Sequence, residues 1–223
     1  MTSIVNYFGR NIIMNYIEDE DECAVNKAIT KGRIWEPRIV KIYGQYINEE
    51  SIVLDIGSHL GTHTIPFSLI GKHVYAFEPQ KKIYNLLKQT IKDNNIDNIE
   101  LFNNIVADTN HQKIDFLNTD TGRASIKSFR PYLKGYTTKE TTLTIDSLNI
   151  PKVDFMKIDT EKTEWLVLKG AKQTIIKNKP IILLETFKNQ GNLNRLSCFC
   201  SIYNYTSEYL ACDNYLLKPI HQN

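Results

Sequence analysis

From Ser51 onward the chain alternates short apolar runs with longer amphipathic stretches. Ser51-Ile-Val-Leu-Asp-Ile-Gly57 is a nearly unbroken apolar run closed by a turn, the mark of a strand covered on both faces. Gly61 to Ile70 predicts a short helix ended by Gly71. A second strand follows in His73-Val-Tyr-Ala-Phe-Glu78, with Pro79 suited to the first turn of a helix running to about Asp93. Ile99 to Asn103 predicts a third strand, Val153 to Asp159 a fourth and Pro180 to Glu185 a fifth, with a helix from Thr163 to Lys177 between the last two. The tail predicts a helix from Leu193 to Tyr203, then strands Tyr205–Leu210 and Tyr215–Lys218 joined by Cys212-Asp213-Asn214.

Strand alternating with helix predicts a doubly wound α/β fold: seven strands, mostly parallel, with an antiparallel seventh strand and helices on both faces. Residues 1–50 are expected to form a helical extension that serves as a lid, and residues 51–223 the main domain. The stretch at about 108–146, with strand-like pieces at Lys113–Asn118 and Thr141–Ile145 around a polar segment, is expected as an excursion that carries specificity. Ligands of such folds bind on the rim where the parallel strands end.

Composition works by exclusion. In 223 residues, 42% are hydrophobic and 23% charged, which argues against disorder and coiled coil. A net charge of +2 announces no nucleic-acid or anionic-membrane partner. Cys198-x-Cys200 is too tight for a zinc pair, so Cys23, Cys198, Cys200 and Cys212 are expected as free thiols of a reducing compartment. The N-terminus lacks a basic stretch followed by an apolar core, and no run reaches the ~18 apolar residues of a membrane span. A cytoplasmic protein with no membrane partner is expected; oligomeric state is unreadable.

The informative segment is Asp55-Ile-Gly57-Ser-His-Leu-Gly61. Its glycine spacing is not the G-x-G-x-x-G of dinucleotide folds, which argues against a nicotinamide-dependent dehydrogenase. A carboxylate at the strand end would repel a pyrophosphate but suits a cation. Glu78 ends the next strand 21 residues after Gly57, the interval at which an acidic residue reaches ribose hydroxyls. A cofactor with an amino group, a sulfonium and a ribose, S-adenosylmethionine, fits this pair.

Val53-Leu-Asp-Ile-Gly-Ser-His-Leu-Gly61, Ala76-Phe-Glu-Pro79, Thr144-Ile-Asp-Ser-Leu148, Lys157-Ile-Asp-Thr-Glu161, Leu168-Lys-Gly-Ala171 and Leu184-Glu185 together resemble the FkbM family of class I methyltransferases. The blocks cover Ser51 to Thr186, and Asp213-Asn-Tyr-Leu-Leu217 resembles the family's closing strand. The resemblance implies a Rossmann-like sheet and S-adenosylmethionine-dependent O-methylation of a hydroxyl on a sugar, glycan or small molecule. It implies that Asp55, Gly57, Ser58, Gly61 and Thr62 shape the methionine end of the cofactor pocket, that Glu78 holds the ribose, and that Asn103 and Asn104 flank the adenine. Glu36, in Arg33-Ile-Trp35-Glu36, is similar to an acidic residue that the family carries ahead of its first strand.

The sequence departs from the family where Asp159-Thr-Glu161-Lys162-Thr-Glu164 stands for Asp-x-Glu-Gly-x-Glu, and where His59 and His63 replace an amide and an aromatic residue. Asp159, which also faces the cofactor, is expected to position the acceptor or act as its base, with Glu161 and Glu185 beside it. Glu164 is read as a charge at a helix N-terminus. The three carboxylates could instead hold a divalent cation, although no spacing assigns a metal. Arg123, Ser125, Lys127 and Arg130 are candidates for contact with a polar acceptor. RNA ribose 2′-O-methylation is the rival reading, for which Lys31, Lys157 and Lys172 are available. A cofactor-binding module without turnover, suggested by Lys162, is the other.

Overall fold

The computed structural model describes residues 1–17, 23–119 and 124–220. Period-two patterning opens the chain. Val5, Tyr7, Ile12 and Met14 lie on the buried face of a hairpin formed by β1 (Thr2–Tyr7) and β2 (Arg10–Asn15), while Ile4 and Ile13 face out. Phe8 and Gly9 turn it with φ of 52° and 83°, both positive as a tight primed turn requires. The expected helical extension is therefore corrected over its first fifteen residues: an alternating pattern cannot build one apolar helical stripe. Helices follow as α1 (Ala24–Thr30) and α2 (Pro37–Ile42).

Next come β3 (Ile52–Ile56), α3 (Thr64–Ile70), β4 (His73–Phe77), α4 (Lys81–Asp93) and β5 (Ile99–Phe102). The excursion contributes β6 (Ile105–Val106), β7 (Lys113–Asn118), β8 (Ser125–Ile126) and β9 (Tyr136–Leu143). The chain returns through β10 (Phe155–Ile158), α5 (Glu164–Gly170), α6 (Lys172–Asn178) and β11 (Ile181–Glu185), and ends in α7 (Gln190–Tyr203), β12 (Tyr205–Tyr209) and β13 (Asn214–Pro219).

The main sheet runs β12-β13-β11-β10-β3-β4-β5. Strands β11, β10, β3, β4 and β5 are mutually parallel, and β13 is antiparallel to both its neighbours. Alternation along the strands sends Val53, Val74 and Phe155 into one core and Leu54, Phe77, Met156 and Ile158 into a second on the other face. Lys157 stands opposite Asp55 in the β10–β3 register, which brings two charged groups together among buried apolar neighbours.

The excursion is a sheet of its own, ordered β6-β9-β7-β8. It adheres to the main layer at Gly170, where a Cβ would lie 2.0 Å from the Ala107 carbonyl oxygen. That approach accompanies a break. The single helix expected from Thr163 to Lys177 is two, separated at Ala171 with φ −109° and ψ 13°. Among the described residues, no helix is long and apolar enough to cross a membrane.

Candidate active site

A cavity of about 930 Å³ opens at the carboxyl ends of β3, β4, β10 and β11. The first fifty residues roof it with Cys23, Ala24, Val25, Trp35 and Glu36, and the smaller sheet walls it with Phe116, Ala124 and Ile126.

The turn after β3 is fixed by close backbone packing. Gly57 has φ +89°, and a Cβ there would meet the Asp159 carbonyl oxygen at 1.7 Å, so only glycine lets the two loops touch. The Gly57 and Ser58 amides donate to the Phe77 carbonyl, each at 3.0 Å, and Ser58 Oγ donates to the Asp55 carbonyl at 2.8 Å. Asp55 is fully buried. Its Oδ2 accepts from Thr64 Oγ1 at 2.5 Å, and its Oδ1 has no protein partner. Gly61 has φ +85° and lies against the Leu87 side chain, behind the cavity wall, whereas Thr62 lines it.

Glu78 sits on the cavity wall with both oxygens engaged by backbone. Oε2 accepts from the His59 amide at 2.9 Å and Oε1 from the Gln80 amide at 2.7 Å. Burial pushes its carboxyl up to about 7, against the pull of those two amides. Asn104 lines the cavity. Asn103 instead donates to the Glu78 and Pro79 carbonyls at 2.9 and 2.8 Å, which ties down the turn that presents Glu78.

Lys157, Asp159 and Glu185 meet at the centre. Lys157 is buried and donates from Nζ to Asp159 Oδ2 at 3.0 Å. Burial disfavours its charge, but Asp159, Asp55, Glu185 and Glu36 outweigh that and hold it protonated, well above its ordinary range. Burial alone would raise Asp159, yet the Lys157 charge and hydrogen bond keep it below the usual carboxylate range. Glu185 is raised by burial and by the neighbouring Asp159 charge. One carboxylate of the pair stays ionised while the other keeps its proton.

Glu161 lines the cavity but pairs with Arg130, and Ser125 Oγ donates to its carbonyl at 2.7 Å. Arg130 is thereby buried within the wall. Lys127 opens a short helical turn and is exposed, and Arg123 lies outside the described residues. Glu164 Oε1 accepts from the Thr160 and Lys162 amides at 3.1 and 2.9 Å, which folds the loop after β10. Lys162, in the family's glycine position, has φ +85°, so it keeps a glycine-like backbone, and its Nζ bonds Tyr132 Oη at 2.7 Å. Among the described residues, no group of three or more His, Cys, Asp or Glu is placed to hold a metal ion.

Tyr43 escaped the sequence reading, and two residues that it named play other parts. Lys157, weighed there as a cation for RNA, holds Asp159 instead. His63 and Tyr43 belong to a buried chain: Tyr43 Oη lies 2.6 Å from His63 Nδ1, and His63 Nε2 lies 3.3 Å from Glu36 Oε2. Glu36 has φ 46° and ψ 56° directly before Pro37, a position that normally favours extended backbone. Such a conformation costs on the order of 1–3 kcal/mol and persists where neighbours over-determine it.

The sequence from 55 to 213, more than half of the chain, matches the model of the methyltransferase FkbM domain family. The chain belongs to the FkbM methyltransferase family. The solved methyltransferase FkbM of Methylobacillus flagellatus KT is 17% identical with a TM-score of 0.59, over 77% of this chain and 44% of that one. An rRNA methylase from Streptococcus thermophilus is 14% identical with a TM-score of 0.53, covering 82% and 95%. Ribosomal RNA small subunit methyltransferase A of Desulforapulum autotrophicum is 34% identical over 71 residues, which is 32% of this chain and 24% of that protein. This FkbM chain thus spans under half of the first solved relative and about a quarter of the curated one.

S-adenosylmethionine is the cofactor of this FkbM chain, and the residues present fit it. The wall carries Glu36, Glu78, Asp159, Glu161 and Glu185 against Lys157, a balance that favours a cationic ligand. Asp55, buried beside the lining residues Ile56 and Gly57, keeps one carboxylate oxygen without a protein partner. The volume lies within the ~300–1,000 Å³ range of small-molecule pockets.

Proposed function

We propose that the chain methylates a hydroxyl group on a sugar, glycan or small molecule. The observation that carries this reading is the Lys157–Asp159–Glu185 cluster on the cavity wall. When bound, the cofactor supplies a methyl group on a positively charged sulfur. Transfer moves that charge onto the acceptor oxygen, whose proton becomes strongly acidic as the new C–O bond forms. A weak base held in place then suffices. Asp159, kept ionised by Lys157, accepts the acceptor's O–H and takes its proton, while protonated Glu185 donates to Asp159 and holds it in position. Glu161, paired with Arg130, orients the loop beside them.

Gly57, Ser58 and Thr62 line the methionine end of the donor pocket together with Glu36 and Asp159, and Asp55 and Gly61 shape it from behind the wall. Glu78 takes the ribose and Asn104 the adenine side, with Asn103 supporting Glu78 from behind. Residues 1–50 serve as the lid, a role supported by Trp35 and Glu36 on the cavity wall. A cytoplasmic location is supported by four free cysteines.

Methylation of RNA is a second reading, favoured by ribosomal RNA methylases among the similar proteins. The net charge of +2 weighs toward the smaller acceptor. Panels of sugars, glycans and RNA assayed with S-adenosylmethionine separate the two, and Asp159→Asn tests the mechanism. The variant should keep its affinity for S-adenosylhomocysteine within about threefold and lose roughly 10²–10⁴ in turnover. Full turnover by Asp159→Asn would overturn the assignment.

A further inference from the structure

We infer that His63 is a positioning residue which holds the Glu36 carboxylate in the donor pocket, with Tyr43 fixing its tautomer. The inference rests on the methyltransferase reading of the site. Its geometry is a single buried line. Tyr43 Oη lies 2.6 Å from His63 Nδ1, His63 Nε2 lies 3.3 Å from Glu36 Oε2, and Asn214 Nδ2 donates to Glu36 Oε1 at 3.4 Å. Tyr43 and Asn214 are fully buried, and His63 and Glu36 both line the cavity.

The direction of the chain follows from its donors. Burial and the neighbouring Asp55 and Glu36 carboxylates hold the Tyr43 phenol well above its ordinary range, so it stays an O–H donor. Donating to Nδ1, it leaves the imidazole proton on Nε2, aimed at Glu36. Glu36 is thereby faced at both oxygens by nitrogen groups from two different elements, His63 at α3's leading turn and Asn214 on β13. These contacts explain how a non-glycine residue before proline keeps a left-handed backbone. They also join the roof of the cavity to the glycine-loop side of its floor. A loop-filling histidine would be solvated; this one is 6% exposed, hydrogen-bonded at Nδ1 and within 3.3 Å of Glu36 Oε2 at Nε2.

The test is a double-mutant cycle read by calorimetry with S-adenosylhomocysteine. His63→Phe removes both polar contacts in an aromatic shape, and its dissociation constant should rise roughly tenfold, the weight of one contact to a charged group. Glu36→Gln should show a comparable rise. Their combination should be little worse than either alone, because His63 acts through Glu36. His63→Gln, which restores an N–H donor, should recover part of the loss. Additive losses, or an unchanged constant in folded His63→Phe, would overturn the inference. If His63→Phe does not fold, Tyr43→Phe supplies the same reading, with a smaller rise that must vanish in the Glu36→Gln background. Failure of the unaltered protein to bind S-adenosylhomocysteine would defeat the methyltransferase reading itself.

Discussion

Lys157 and Asp55, opposite one another on adjacent parallel strands, put an ammonium and a carboxylate into the deepest layer of the sheet. The lysine's hydrogen-bond partner is the next carboxylate up its own strand, Asp159, at 3.0 Å. One cation thus balances a cluster that also includes Glu185 and Glu36.

Replacing Lys157 by methionine keeps the length and removes the charge. With a buried pair broken from one side, stability should fall by about 3–5 kcal/mol, measured by urea denaturation. A loss under about 1 kcal/mol would show that the carboxyls neutralise themselves and need no lysine.

Gly57 and Gly61 share a positive φ but differ in what a methyl group would strike. At Gly57 the obstacle is the Asp159 backbone carbonyl, whereas at Gly61 it is the end of the Leu87 side chain, 2.4 Å away. Gly57→Ala should abolish S-adenosylhomocysteine binding, and Gly61→Ala should weaken it by a smaller factor. Equal effects in calorimetry would mean that φ alone, not the obstacle, sets the penalty.

Glu78 predicts opposite pH trends for folding and binding. Its carboxyl titrates near 7 in the folded protein against an ordinary 4.5, so the native state retains a proton that the unfolded chain releases. Its contribution to stability is full at low pH and declines as pH rises through about 7. The ionised form is the better acceptor for ribose hydroxyls, so affinity for S-adenosylhomocysteine should strengthen over the same interval. Glu78→Gln should flatten both curves, and a pH-independent affinity in the unaltered protein would contradict the assignment.

The hairpin offers a gain rather than a loss. Phe8 is half exposed and occupies a positive-φ position that asparagine tolerates better. Phe8→Asn should stabilise the protein by roughly 0.5–1 kcal/mol in thermal unfolding without altering binding.

The central strands were legible because each is a short apolar run closed by a turn, and because strands covered on both faces tolerate little else. The interval from Gly57 to Glu78 was legible for the same reason, since a strand–helix–strand unit has a nearly fixed length. The hairpin was not: Phe8-Gly9 is a poor advertisement for a turn that Asn-Gly would announce. Nor was the break at Ala171, whose accompanying contact, between Gly170 and Ala107, spans more than sixty residues. The parts played by Lys157 and His63 were not legible, because the sequence says where a polar residue sits along the chain, whereas its meaning depends on which carboxylates the fold brings to it.

Gly170 has one more consequence. With α5 resting on the Ala107 carbonyl, the smaller sheet has no slack at the end nearest the central strands. Its opposite end, the two-residue strand Ser125–Ile126, lies at the sheet's edge and pairs with β7 alone. Divergence in acceptor size should therefore accumulate at that far end, as longer or shorter segments between β7 and β9, while the anchored end keeps its length. The wall is built like a hinge plate: one edge screwed down, the other free to be recut.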